Sequence, residues 1–225
     1  MPRHFDEELD QLKATLLRMG GLAEEQLDKA LCALTERDSA LATHVIEEDV
    51  HINGLDVAID EECIRLLALH QPAARDLRLI TTGMKIASEL ERIGDLAESI
   101  CTRTLELNEE PQLKPYLDIP RMGHWAMVMV KESLDSFLHG DVALAQKVLM
   151  DDDFVDGLME QIFRELLSYM IEDPRTISRA IRLTFVAKSI ERVADHATNI
   201  AELVVYLVEG KIIRHTTPTA SRASQ

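Results

Sequence analysis

The sequence is poor in glycine and in positive charge. Only 9 of the 225 residues are glycine, and no two alternating segments are joined by an Asn-Gly turn, so a protein built from β-hairpins is excluded. The 24 Lys and Arg residues stand against 40 Asp and Glu, which leaves a net charge of -16 at pH 7. Because this charge repels nucleic-acid backbones and anionic lipid headgroups, we expect no direct binding to DNA, RNA or a membrane surface.

Cysteine and long apolar runs are also scarce. Cys32, Cys63 and Cys101 are far apart, odd in number and without CxxC spacing, which predicts buried thiols in a reducing compartment. No segment approaches the roughly 20 apolar residues of a spanning helix, and the opening residues MPRHFDEELDQLK lack the apolar core of a signal peptide. We therefore expect a soluble protein that stays in the cytoplasm and does not insert into the membrane.

The familiar catalytic motifs are missing as well. The sequence contains no Walker loop, no GxGxxG, no GxSxG and no HExxH. Glu48 and His51 match the Glu-x-x-His of di-iron oxidase bundles, but such a centre needs a second copy, and the second half of the chain has Asp-Asp-Asp-Phe from Asp151 to Phe154. We therefore expect that the protein is not an enzyme.

Apolar residues at steps of three and four positions fill nearly the whole chain, and this period predicts an all-α fold. In the first half the expected helices cover residues 7–35 and 39–69, and a third follows Gln71 with Pro72 in its first turn. In the second half they cover 119–138 and 142–171, and a third follows Asp173 as N-cap with Pro174 behind it.

Three long helices in each half bury their apolar stripes most simply as an antiparallel three-helix bundle. The chain is thus predicted to form two pseudo-symmetric bundles, at residues 1–109 and 119–210. Between them, residues 110–118 are expected to be a Pro-containing linker, and residues 211–225 a disordered tail.

The two halves are copies of one unit. The segment ERIGDLAESI at 91–100 reappears as ERVADHATNI at 191–200, an offset of 100 residues. Earlier in each half the matching positions, such as Val45 with Val148 and Ile59 with Ile162, are offset by 103 residues. One shorter loop accounts for the difference of three, so the chain arose by duplication.

Each copy carries acidic residues on two neighbouring helices. Residues four apart share one face of a helix, so these side chains form paired stripes. A single such pair is usually a solvated surface, but here the pattern recurs at equivalent places in both halves. Opposed carboxylates need solvent, protons or a cation between them, and oxygen-only ligands favour hard ions such as Mg, Mn, Ca or Fe over structural zinc. The candidate metal ligands are Asp49, Asn53, Glu91 and Asp95 in the first half, and Asp152, Asp156, Glu191 and Asp195 in the second.

Three motifs carry a family resemblance. They are QPAARDLR at 71–78, ELERIGD at 89–95 and SIERVAD at 189–195, together with Met19-Gly20-Gly21 in the first helix. In these motifs the chain resembles the PhoU family of phosphate-transport regulators, over nearly all residues up to about His215. The resemblance implies two pseudo-symmetric three-helix bundles, commonly a homodimer, and E(D)xxxD motifs that bind divalent or trivalent metal ions, with Fe, Mn, Mg and Zn as candidates. Asn53 departs from the acidic form, so we expect the second half to bind a cation more tightly.

The resemblance also implies a regulatory function without enzymatic activity. Members of the family are thought to link the ATPase subunit of the phosphate ABC transporter to a sensor histidine kinase, and to repress phosphate uptake and the phosphate-starvation (Pho) regulon. Such a protein stays in the cytoplasm and reaches the inner face of the membrane through protein partners. Two alternatives remain open from the residues alone: a carboxylate-bridged metal enzyme or metal-storage bundle, and a structural helical adaptor without metal.

Overall fold

The computed structural model describes residues 2–211, and their side-chain environments from residue 4 onward. Within this part of the chain the regular structure is helical, as predicted, and none of the helices is both long and apolar enough to cross a bilayer. A short 3₁₀ helix, Pro174–Thr176, precedes the last α-helix. The predicted disordered tail lies outside the described residues, apart from Lys211. The α-helices are α1 Pro2–Glu36, α2 Ser39–Glu48, α3 Val50–His70, α4 Ala74–Asn108, α5 Asp118–His139, α6 Val142–Glu172 and α7 Ile177–Glu209.

Aspartates begin corresponding helices in the two halves. The Asp38 carboxylate accepts hydrogen bonds from the backbone N–H groups of Ala40 and Leu41, both at 2.9 Å. Asp141, 103 residues later, accepts one from the N–H of Leu144 at 3.0 Å. These bonds satisfy N–H groups that have no partner within the helix, so both turns form where the sequence predicts them.

Two details of the first half differ from the prediction. The helix expected over 39–69 is interrupted at Asp49, which ends α2 and begins α3. Asp49 keeps right-handed helical angles, φ -58° and ψ -30°, so the interruption is local. Aspartate suits such a junction because its side chain is favoured at helix ends over helix interiors. Pro72 lies before α4 and not in its first turn, since Gln71 ends α3 in the left-handed conformation and α4 begins at Ala74.

The seven helices form two antiparallel three-helix bundles. The first consists of α1, the α2–α3 pair and α4, and the second of α5, α6 and α7. The bundles pack side by side through α4 against α7 and through α1 against α5. Consequently α4 and α7 lie at the centre of the molecule, and α3 and α6 form its outer faces.

A reciprocal contact joins α1 to α5. Gly20 lies against the buried side chain of Leu134, and Gly123 lies against that of Leu31. Gly123 is 103 residues after Gly20, and Leu134 is 103 after Leu31, so the two contacts are copies of each other. At either glycine an added Cβ would fall far inside van der Waals contact with the facing leucine. The glycines thus allow the two bundles to approach closely.

The connection between the bundles is held from both sides. It covers residues 109–117, close to the predicted linker. The guanidinium of Arg37 donates to the carbonyls of Leu107 and Glu110 at 3.1 and 2.6 Å. Lys114 is buried and forms an ion pair with Glu165 on α6. The linker is therefore tied to both bundles.

The cysteine prediction is correct for two residues and wrong for one. Cys63 and Cys101 are buried, and burial raises the pKa of each thiol to about 12. Cys32 is exposed, because it lies on the outer side of α1, where the apolar stripe of that helix does not reach.

Replacing Gly20 by alanine should destabilise the protein. The new methyl group must displace the buried Leu134 side chain, a form of overpacking that costs about 1–3 kcal/mol and exceeds the gain of up to about 1 kcal/mol in helix propensity. At the neighbouring Gly21 a Cβ meets nothing within 4 Å, so Gly21→Ala should stabilise by about 0.5–1 kcal/mol. Denaturant unfolding of both variants measures this difference. Equal effects at the two positions would contradict the close contact at Gly20.

Candidate metal centre

Three carboxylates converge in the first bundle. Asp49 sits at the junction of α2 and α3, while Asp95 and Glu98 lie one turn apart on α4. One oxygen from each lies within 4.8 Å of the others. Burial, followed by the neighbouring carboxylates of Asp49 and Asp95, raises the pKa of Glu98. A cation held 2.0–2.6 Å from its oxygen ligands would fit this spacing after small side-chain movements and would remove the repulsion.

Two buried oxygen atoms in the same place accept no hydrogen bond from any described residue. They are Oδ1 of Asp49 and Oε1 of Gln26, whose side chains are each 5% exposed. Both approach the backbone of Gly94: a Cβ there would lie 3.0 Å from the Asp49 oxygen and 3.4 Å from the Gln26 oxygen. Buried acceptors without donors are costly, and a cation would satisfy them. The residues present therefore fit a hard metal ion.

The other two residues predicted for this half have different positions. Asn53 donates from Nδ2 to Oδ2 of Asp49 at 2.7 Å, which orients that carboxylate and leaves Oδ1 directed inward. Glu91 lies one turn before Asp95, and its pKa is raised by burial and then by Asp95. Arg92 stands 3.5 Å from the Glu91 carboxylate and 3.7 Å from that of Asp95. Glu91 therefore lies beside the cluster of three carboxylates. Asn53 does not join the cluster but donates a hydrogen bond to one of its members, Asp49.

The four residues predicted for the second half also come together, but less tightly. Asp152 and Asp156 lie on α6 and face Glu191 and Asp195 on α7. Burial, and then the carboxylates of Asp156 and Asp195, raise the pKa of Asp152 to about 6. Lys188 pairs with Glu191. Among the described residues, however, only the first-half set brings three carboxylates within 4.8 Å.

Substitutions at equivalent positions explain the difference between the halves. Thr198 stands where the first half has Glu98, and Met129 where it has Gln26, so a carboxylate and an amide oxygen are replaced by a hydroxyl and a thioether. Ala194 stands in place of Gly94, and its methyl group takes the room into which the buried oxygens point. The sequence predicts tighter metal binding in the second half, where every ligand is acidic, but the geometry favours the first.

Two residues of the centre were missed from sequence. Glu98 belongs to the acidic stripe of α4, three residues after Asp95, and could have been found by extending that stripe by one turn. Gln26 is the one amide in the buried stripe of α1, flanked by Ala23, Leu27 and Ala30. A polar residue inside an apolar stripe is the signal that could have identified it.

His196, the residue after Asp195, lies at the contact between the two bundles. Its side chain is 15% exposed, and its Nδ1 lies 2.6 Å from Oε2 of Glu89 on α4. Asn199 donates to the same oxygen at 3.0 Å. This network joins the two bundles.

The fold and the two clusters define a class of protein, namely duplicated helical bundles with carboxylates paired across neighbouring helices. Comparison with known proteins narrows this class. The PhoU domain family matches residues 16–104 and 119–204, one block in each half. The chain belongs to the PhoU family.

Individual relatives agree along nearly the whole chain. A "phosphate-specific transport system accessory protein PhoU homolog" of Pseudomonas aeruginosa is 45% identical over 95% of this chain and 88% of the relative. The accessory protein PhoU of Escherichia coli is 40% identical, over 94% and 88%. The crystal structure of PhoU from Pseudomonas aeruginosa, 46% identical, superimposes with a TM-score of 0.89 and covers 92% of this chain and 100% of that one.

A more distant structure shows the same fold. It is a phosphate transport system regulatory protein PhoU from Streptococcus pneumoniae, 32% identical, with a TM-score of 0.87 over 92% of this chain and 98% of that one. The relatives are named as accessory or regulatory proteins, and this member of their family is likewise not an enzyme.

The raised pKa of Asp152 predicts a loss of stability with rising pH. Unfolded aspartate titrates at about 4, so the folded state holds this proton more tightly, and the stabilisation is lost as the pH rises through about 6. Allowing for solvent screening, we expect about 1 kcal/mol between about pH 5 and pH 7.5, and Asp152→Asn should abolish it. Thermal melting with a chelator at both pH values tests this. An unchanged pH dependence in the variant would assign the effect to other groups.

Proposed function

We propose that this protein is an accessory protein of phosphate transport that represses phosphate uptake and the phosphate-starvation regulon when phosphate is plentiful. The observation that carries the proposal is the similarity of nearly the entire chain to accessory proteins of phosphate-specific transport. Both copies of the PhoU domain are present. A function that requires both three-helix bundles therefore has both of them in this chain.

The proposed partners are the ATPase subunit of the phosphate ABC transporter and the phosphate sensor histidine kinase. In this role the protein acts from the cytoplasm as a homodimeric adaptor and reaches the inner face of the membrane by binding these proteins. Its net charge of -16 supports protein contacts over contacts with anionic lipid, since headgroups would repel it.

The first-half centre is proposed to hold a divalent or trivalent ion, with Mg, Mn, Fe and Zn as candidates. Asp49, Asp95 and Glu98 would supply charged oxygens and Gln26 a neutral one. A bound ion there supplies positive charge. Because the donors come from α1, the α2–α3 junction and α4, they would then hold three segments of the first bundle together. The metal is therefore proposed to stabilise the fold of the first bundle.

Deleting the gene should raise phosphate accumulation and starvation-gene expression in phosphate-replete cells. The physical reason is the loss of the adaptor that couples the transporter to the kinase. A reporter for a starvation promoter and a measurement of cellular phosphate provide the test, with the wild-type gene restored on a plasmid as control. Unchanged values in the deletion strain would rule out the regulatory function.

Metal binding should depend on the first-half centre more than on the second. In calorimetric titration with Mn²⁺, Asp49→Asn should weaken the tighter site at least about tenfold, since a charged ligand is lost. Gly94→Ala should weaken it too, because the new methyl group would lie 3.0 Å from the Asp49 oxygen. The matched control is Asp152→Asn at the equivalent position of the second half. Equal losses at Asp49 and Asp152 would contradict the assignment, and melting in chelator verifies that each variant folds.

A further inference from the structure

The hairpin of α6 and α7 exposes large apolar side chains on both of its helices, and one of these side chains, Phe185, lies under the guanidinium of Arg103 on α4. On α6 they recur at steps of four residues toward its end, and on α7 at the same step from its beginning. Their exposure ranges from 40% at Ile177 to 74% at Ile171. Such contiguous apolar surface is unusual outside interaction sites. This surface, called here the hairpin face, consists of Phe163, Leu167, Ile171, Ile177, Ile181 and Phe185.

The hairpin face continues directly from the second acidic cluster. Phe163 follows Asp156 by seven residues, two helical turns or about 10 Å along the same side of α6. On α7, Ile181 precedes Asp195 by fourteen residues, which again returns to nearly the same side. From Asp152 to Ile171 the combined surface is about 29 Å long, the length of a helix of about 20 residues. One end of this surface is apolar and the other is strongly acidic.

The equivalent surface of the first bundle is less apolar. Asp60 replaces Phe163 and Ala68 replaces Ile171 on α3. Thr81 replaces Ile181 and Lys85 replaces Phe185 on α4. The pseudo-symmetry of the chain is therefore broken at four of the six positions, whereas Ile64 and Leu77, the equivalents of Leu167 and Ile177, are also exposed and apolar.

We propose that the hairpin face and the carboxylates beside it dock an amphipathic helix of a partner protein. Such a helix would place an apolar stripe between α6 and α7 and Lys or Arg residues against the carboxylates of Asp152, Asp156 and Asp195. Apolar burial would provide affinity, and charge pairing would fix the direction of the helix. The acidic cluster supports this occupant, because the carboxylates of α6 and α7 face one another and repel, and Lys188, the cation among them, is paired with Glu191.

A second copy of this chain matches the surface less well. It could cover the apolar half, but with a net charge of -16 it brings further acids and adds no counter-charge to that of Lys188. The proposed amphipathic helix would cover the apolar residues and also pair with the carboxylates. The inference rests on the proposed function in one respect, since the partners available as probes are those of phosphate signalling.

Direct binding tests the hairpin face. The probes are the purified ATPase subunit of the phosphate transporter and the cytoplasmic part of the sensor kinase, each titrated with the full-length protein. The variant Phe163→Ser, Ile181→Ser shortens two exposed side chains, 45% and 43% accessible, and leaves the core intact. Its matched control is Ile64→Ser, Leu77→Ser, which removes two exposed side chains, 59% and 40% accessible, from the equivalent surface of the first bundle. Melting curves and analytical ultracentrifugation accompany each titration.

We expect the hairpin variant to lose at least tenfold in affinity for one probe, the control to stay within twofold of wild type, and binding to weaken as salt is raised. Binding by the hairpin variant equal to that of wild type would overturn the inference and leave the proposed function standing. Conversion of a wild-type dimer into a monomer by the hairpin variant would assign the face to a second copy and also overturn it. Failure of the wild-type protein to bind either probe would remove the proposed partners and this inference together.

Discussion

The packing of α4 against α7 is the constraint on which the rest of the molecule depends. Both helices are covered by apolar contacts along most of their surface, because each is packed by its own bundle on one side and by the other bundle on the opposite side. Only a narrow strip of each stays accessible, next to α3 or α6. The carboxylates Glu91 and Asp95, and their copies Glu191 and Asp195, lie on those strips. The two acidic clusters are thus a consequence of how the central helices are buried.

The duplication produced two copies of the same three-helix bundle, and a few later substitutions gave the copies different chemistry at equivalent positions. Glycine at position 94 opens a space for buried oxygens, whereas alanine at 194 closes it. Glu98 and Gln26 bring a carboxylate and an amide oxygen to the cluster of the first half, whereas Thr198 and Met129 stand at the equivalent positions of the second. The second half instead carries aromatic and branched apolar residues beside its carboxylates. In the proposed functions, the shared backbone carries a metal centre in the first half and a docking surface in the second.

The sequence predicted the helices, the duplication and most of the acidic positions, because all three depend on periods that a linear pattern displays. The capping role of Asp173 was equally readable, since a cap acts over a few neighbouring residues. The interruption at Asp49 and the exposure of Cys32 were not, because they depend on how helices meet. Gln26 was missed for the same reason: its oxygen matters only because α1 brings it to the backbone of α4. Which carboxylates converge depends on how the helices pack against one another. A count of charged ligands favours the second half as a metal site, whereas three carboxylates converge in the first.

The contacts between bundles also affect how the chain folds during synthesis. Gly20 on α1 and the apolar side of α4 stay uncovered until Leu134 and α7 have been synthesised. The last residues of α7 follow the end of α4 by about 100 positions. At 5–20 residues per second a ribosome needs roughly 5–20 s to make that stretch. Throughout this interval the first bundle presents uncovered apolar strips on two helices, and transiently exposed surface of this kind makes folding intermediates prone to aggregation.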